Sequence, residues 1–204
     1  MTHATLLLTT AFSLLNAAPA ELAVVVQGGE VFSPLAWRAM EAESDRIVRQ
    51  AGIRLRFIEH SKAAGQEFGD LVVIRMTGKC AMDGLPVPLD SSVPYASVSV
   101  SGAVVLPFGE VHCDRIRGSV QMAMGPELHQ NSDVIFGRAL GRVVAHELYH
   151  ILGNTKSHGM VGVAAEAFSA RQLIADELNF SHHDCATIAC RRTELARLSR
   201  PRLR

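Results

Sequence analysis

The sequence lacks most of the features that assign a protein quickly. It has no net charge: 20 Lys and Arg balance 20 Asp and Glu over 204 residues, and the pI is about 7.1. Without a basic run there is no electrostatic footprint for nucleic acid and no polybasic patch for a membrane surface. Aromatic residues make up only 5%, so the core must come from aliphatic residues and Ala, which are plentiful. The loop-rich stretch with Gly84, Pro86, Pro88, Ser91, Ser92 and Pro94 is too short for a domain linker, which leaves one domain.

Long apolar runs are also scarce. The run from Leu6 to Leu15 is too short for a comfortable membrane span. With Ala18-Pro19-Ala20 behind it, residues 1–20 read as a signal peptide, cleaved after Ala20 to leave a mature chain of residues 21–204 without a transmembrane helix. The basic n-region is thin, with His3 and the amino terminus alone, and a buried N-terminal helix or strand is the alternative. Export makes the chain secreted or periplasmic and places its four cysteines in an oxidising compartment. An even count favours disulfides, Cys80–Cys113 and Cys185–Cys190 being the simplest pairing. The rival is metal binding by His182, His183, Asp184, Cys185 and Cys190, which has suitable atoms but no recognised spacing; without export the thiols stay reduced.

What the sequence does hold is His146-Glu147-Leu148-Tyr149-His150, followed by Gly153 and His158. Residues four apart share a helix face, so His146 and His150 can offer two imidazoles to one metal ion. Glu147, about 100° further round, is free to act as a base on water instead of ligating. Val134 to Leu152 contains no Pro, follows cap candidates Asn131-Ser132-Asp133, and is apolar enough to be largely buried. Gly153 is the expected left-handed stop. Buried histidines on such a helix need partners; the plain alternative is a pair of core histidines bonded to backbone carbonyls.

These residues resemble the zincin metallopeptidases, and among them the metzincins, whose motif is H-E-x-x-H-x-x-G-x-x-H. His146, Glu147, His150 and Gly153 match it in place. The family's third His falls on Lys156, and the nearest His is His158, two residues later. The resemblance implies an α+β, zincin-like single domain, with a twisted mixed sheet packed on helices including the H-E-x-x-H helix. It implies a Zn2+ cofactor held by His146, His150 and a third ligand, with Glu147 as general base, and a peptide or protein substrate. His158 is the first candidate for the third ligand, because two added residues in a turn cost well under about 1 kcal/mol of closure entropy. Glu166 and Glu177 are the alternatives, on the plan in which a second helix returns a Glu. The family's methionine turn has only Met160 to represent it, and the oxyanion partner is left open between Tyr95, Tyr149 and neither. A zinc-binding protein that does not cut, and a zinc hydrolase of non-peptide substrates, remain as alternative functions.

Strand-type runs are expected at 22–26, 53–58, 70–75, 95–100 and 103–108, with alternation carrying on through Val111, Cys113 and Ile116. A helix is expected from Ser33-Pro34 to Gly52, and another from Ser169 to about Leu178. By the resemblance, the segment from Val98 to Val111 is the candidate substrate-facing edge; the alternative is a plain sheet strand.

Overall fold

The computed structural model describes residues 20–28, 32–83, 92–124 and 130–198, with side chains to 195. The proposed leader thus falls almost wholly outside the described residues. Five strands form one sheet: β1 (Ala20–Gly28), β2 (Ile53–Glu59), β3 (Leu71–Thr77), β4 (Ala96–Ser101) and β5 (Val104–His112), in the order β2-β1-β3-β5-β4. The first four in that order are parallel, and β4 pairs antiparallel to β5 with a register shift between Val98 and Val100. Central β1 is covered on both faces, which explains its unbroken apolar run: Leu22, Val24 and Val26 face the main core, Ala23 and Val25 the smaller cluster with Ile58, Phe68 and Val73.

The main face is covered by α1 (Pro34–Val48) and α4 (Ser132–Gly153). Ser33 caps α1 with Pro34 behind it, and a 3₁₀ turn (Arg49–Ala51) ends at Gly52, whose φ of 74° suits a residue without Cβ. Between them α2 (His60–Ala63) is a single turn after β2, and α3 (Cys113–Ala123) follows β5 directly. α5 (Ala170–Ile174) and α6 (His182–Leu198) complete the chain.

The α1–α4 contact is made through glycines. A Cβ at Gly137 would lie 2.3 Å from the Ala36 carbonyl oxygen, and one at Gly141 would lie 2.8 Å from that of Met40. Ser44 completes the seam, its hydroxyl donating to the Met40 and Gly141 carbonyls. Beside it lies a fully buried ion pair: Arg142 Nε donates to Glu43 Oε1 at 2.8 Å. The guanidinium spends its remaining N–H groups on the carbonyls of Gln172, Leu173 and Ala175, while Arg138 donates to Ala175 and Asp176.

Several expectations are corrected. α5 stops at Ile174 instead of running to Leu178, and the arginines of α4 take carbonyls at its C-terminal end. Ser169 does cap it, in a reciprocal pair with Gln172. The alternation through Val111, Cys113 and Ile116 does not continue the strand, since α3 begins at Cys113. The stop after α4 is not Gly153 but Asn154, at φ 46°, whose side-chain oxygen accepts from Val105 N at 2.8 Å; Asn tolerates this conformation. Gly153 instead gives close passage past Thr155 and Thr187. Cys80 and Cys113 form a disulfide closing 33 residues, but Cys185 and Cys190 are both free. Both lie in α6, and five residues turn a helix by about 140° beyond a full circle, so they face different ways. No helix among the described residues is long and apolar enough to cross a membrane.

Candidate metal centre and cleft

α4 presents His146, Glu147 and His150, all buried, along the side facing the outer end of the sheet. The chain then turns at Asn154 and returns the exposed His158 to the same place. One nitrogen from each of the three imidazoles lies within 4.8 Å of the others. The His158 ring stacks on that of His146 at a centroid distance of 5.3 Å and meets that of His150 edge-on at 4.8 Å. The displaced His therefore does reach the cluster. Among the described residues neither Glu166 nor Glu177 belongs to it; Glu166 is exposed on the cleft wall, and Glu177 is exposed on the far side near Arg46.

Backbone carbonyls decide how the buried pair is set. His146 Nδ1 lies 2.8 Å from Val163 O, and His150 Nδ1 lies 2.8 Å from Thr155 O. A carbonyl oxygen only accepts, so both Nδ1 atoms carry the proton and both Nε2 atoms present lone pairs. Those two Nε2 atoms face each other at 3.1 Å. No proton of a neutral imidazole is left to lie between them, so the arrangement calls for a cation. Tetrahedral zinc, with bonds of about 2.0–2.1 Å, holds its nitrogens about 3.3 Å apart. The donor set and spacing fit such an ion, and the carbonyls supply the outer support that orients ligating histidines. The plain reading, core histidines satisfied by carbonyls, accounts for the Nδ1 atoms and leaves the Nε2 pair unexplained.

Burial dominates the titration of the site. It lowers the His146 imidazole to about 4, against the opposing Val163 carbonyl, and lowers His150 as well. It pushes the Glu147 carboxyl up to about 8. Phe168 packs edge-on against His146 at 5.5 Å. Met160 is 98% exposed, so it does not stand in for a methionine turn beneath the cluster.

The cluster opens into a cleft of about 660 Å³, walled by Tyr95 to Val98 and Val100 on one side, and by Glu166, Ala167 and Phe168 on the other. The sheet edge beside it is β4 alone. The expected edge from Val98 to Val111 is thus half corrected, since β5 lies inside the sheet between β3 and β4. Two hydrogen bonds tie the β4–β5 hairpin to the turn after α4: Val105 N to Asn154, and Lys156 Nζ to Gly102 O. Of the two tyrosines, Tyr149 is buried against Phe180, and Tyr95 lines the cleft with its hydroxyl donating to Ser119 Oγ. The group at His182 to Cys190 forms no ligand cluster among the described residues.

No protein-family model matches the sequence, and no curated protein matches it either. The structure does have a counterpart: the crystal structure of archaemetzincin from Methanopyrus kandleri superposes on 88% of this chain and 99% of its own, with a TM-score of 0.50 at 11% sequence identity. The fold is zincin-like. That zincin-like frame is the expected α+β arrangement of a mixed sheet on helices, with the three imidazoles able to bind a metal ion at the mouth of its cleft. Sequence reasoning names Tyr95 only as an open oxyanion partner and misses Arg115 and Phe168 as cleft residues, and the two carbonyls behind the histidines. None carries a local signal; the carbonyls have no residue type to read.

Proposed function

We propose that this chain is a zinc-dependent endopeptidase in which His146, His150 and His158 hold the metal and Glu147 moves the proton. The observation that carries the reading is the pair of Nε2 lone pairs facing each other at 3.1 Å, with a third imidazole beside them and a carboxyl one residue from His146. Zinc bound there would supply a Lewis acid for a peptide carbonyl and a more acidic water. The carbonyls of Val163 and Thr155 hold the two buried rings in the ligating tautomer. A cation held by the three imidazoles would offset the burial that raises Glu147 and favour its carboxylate, which accepts a proton from water and returns it to the leaving amine. The edge of β4, unpaired by any other described strand, orders an extended peptide by main-chain hydrogen bonds along the cleft.

The same reading takes residues 21–204 as one catalytic domain behind a leader of residues 1–20, and the protein as exported. The apolar run before Ala18-Pro19-Ala20 supports it, as does the Cys80–Cys113 disulfide. Metal analysis beside a peptide-library assay is the test. Native protein is expected to hold one zinc per chain and to cut peptides. Glu147→Gln should retain the zinc and lose hydrolysis, whereas His146→Ala, His150→Ala and His158→Ala should lose both. Native protein that binds no zinc would end the proposal.

A further inference from the structure

Among the described residues two cations, Arg115 and Lys156, line the cleft, and the metal site uses neither. Arg115 stands in the first turn of α3, which the Cys80–Cys113 disulfide pins to the end of β3, and its side chain lines the cleft with Tyr95, His146 and Glu147. Its guanidinium lies over the Tyr95 ring, 4.9 Å from the centroid. Nε donates to Val93 O at 3.2 Å, and Nη1 donates to Ser119 Oγ at 3.3 Å, the same hydroxyl that receives the Tyr95 phenol at 2.8 Å. A guanidinium has five N–H groups, so Nη2 and half of Nη1 remain without a partner among the described residues.

Among the described residues no carboxylate pairs with that charge. The neighbouring carboxylate, Asp114, is taken by Arg117 at 2.7 Å, and Arg115 makes no ion pair among the described residues. The positive end of the α3 dipole adds to the same corner. Lys156, the other cation on the cleft wall, is already bonded to Gly102 O. Arg115 therefore differs from an ordinary solvated surface arginine. Its plane is fixed by a ring and two acceptors, and its open edge belongs to a cleft.

From this we infer that Arg115 is a specificity-determining residue that binds a carboxylate of the peptide substrate, at the Tyr95 end of the cleft. The inference rests on the peptidase reading for the nature of its ligand. A fixed guanidinium edge with parallel N–H groups suits a planar carboxylate in two-point contact better than any neutral group. That carboxylate has two sources, an acidic side chain or the free C-terminus of the peptide.

Fluorescent peptides of one core sequence separate them: one pair differs by Glu against Gln at the second to fourth residues after the cut, the other by a free against an amidated C-terminus. Binding is read by anisotropy on zinc-loaded Glu147→Gln protein, and kcat/KM on the native protein. One pair should differ by about tenfold in favour of the carboxylate, the responding pair naming the source. The preference should shrink as salt rises from low to high and vanish in Arg115→Gln, with binding of the neutral peptides within about twofold of the parent. Arg115→Lys, which keeps the charge but not the two-point geometry, should retain only part of it. Equal binding within both pairs, or a preference that survives either high salt or Arg115→Gln, would overturn the inference; the salt series needs no substitution and can overturn it even if the variant does not fold. Selective binding without any hydrolysis would count against the peptidase chemistry alone.

Discussion

The α1–α4 seam and the cleft it supports are built on opposite plans. In the seam, backbone meets backbone: Gly137 and Gly141 admit the carbonyls of Ala36 and Met40, and the Arg142–Glu43 ion pair is buried beside them. In the cleft, single hydrogen bonds to main-chain atoms hold the parts: Thr155 O and Val163 O on the imidazoles, Asn154 and Lys156 on the β4–β5 hairpin. His158 and Met160 are exposed there, whereas Phe136, Leu140 and Arg142 are fully buried a few turns away. One helix serves both plans. Its first turns are fixed by the seam, so its last turns can carry chemistry on the cleft side without drifting.

If this division is real, substitutions should divide the same way. The largest loss is expected from Arg142→Met, which leaves Glu43 with Arg46 alone and takes the donor from the Gln172 and Leu173 carbonyls: about 3–5 kcal/mol by urea unfolding. A loss under about 1 kcal/mol would mean the ion pair is dispensable. Replacing Cys80 and Cys113 by Ser should cost about 3–4 kcal/mol on the chain-entropy account of a 33-residue loop. Gly137→Ala pushes a methyl group to 2.3 Å from a carbonyl and should cost about 1–3 kcal/mol, with the helices moving apart.

The seam should also weaken in acid. Burial alone would raise the Glu43 carboxyl, but hydrogen bonds and charge from Arg46 and Arg142 outweigh it and hold the group below its ordinary 4.5. Burial lowers the Arg142 guanidinium, in the opposite sense; a guanidinium stays charged over the working range, so Glu43 sets the dependence. A depressed carboxyl stabilises the folded state above the unfolded pKa, and the contribution fades as pH falls through the folded value. Stability should therefore drop below about pH 4.5, and less so in Glu43→Gln, as a pH series of urea midpoints will show. The smallest effect belongs to the cleft: His158→Ala should change metal-free stability by under about 0.5 kcal/mol while abolishing zinc binding. A larger loss would blur the comparison.

Legibility followed the same line. His146, Glu147 and His150 could be read because four residues on one helix fix their relation without knowledge of anything else. The strands showed as apolar runs, β1 most clearly. His158 needed only a local turn. The seam could not be read: Gly137 and Gly141 look like weak points in a helix until Ala36 and Met40, about 100 residues earlier, are seen against them. Arg142 looks solvated for the same reason. α3 was hidden because it follows β5 without a side-chain cap at His112, so the strand pattern seemed to run on. The order of strands, and hence which one is the edge, depends on pairings far apart in sequence. Cys185 and Cys190 were misread by counting, where helical phase decides.

The glycine seam also bears on how such chains can be recognised. H-E-x-x-H alone is a short signature that arises by chance. The seam places a Gly five residues before the first His and another four residues before that, so the pattern lengthens to Gly137-x3-Gly141-x4-His146-Glu147-x2-His150. Two close backbone crossings demand the first pair and a shared ion the last, so two unrelated constraints must be met on one helix. Small residues at both leading positions would mark a helix packed tightly enough to aim its histidines, even where overall identity falls to the level seen with the archaeal structure.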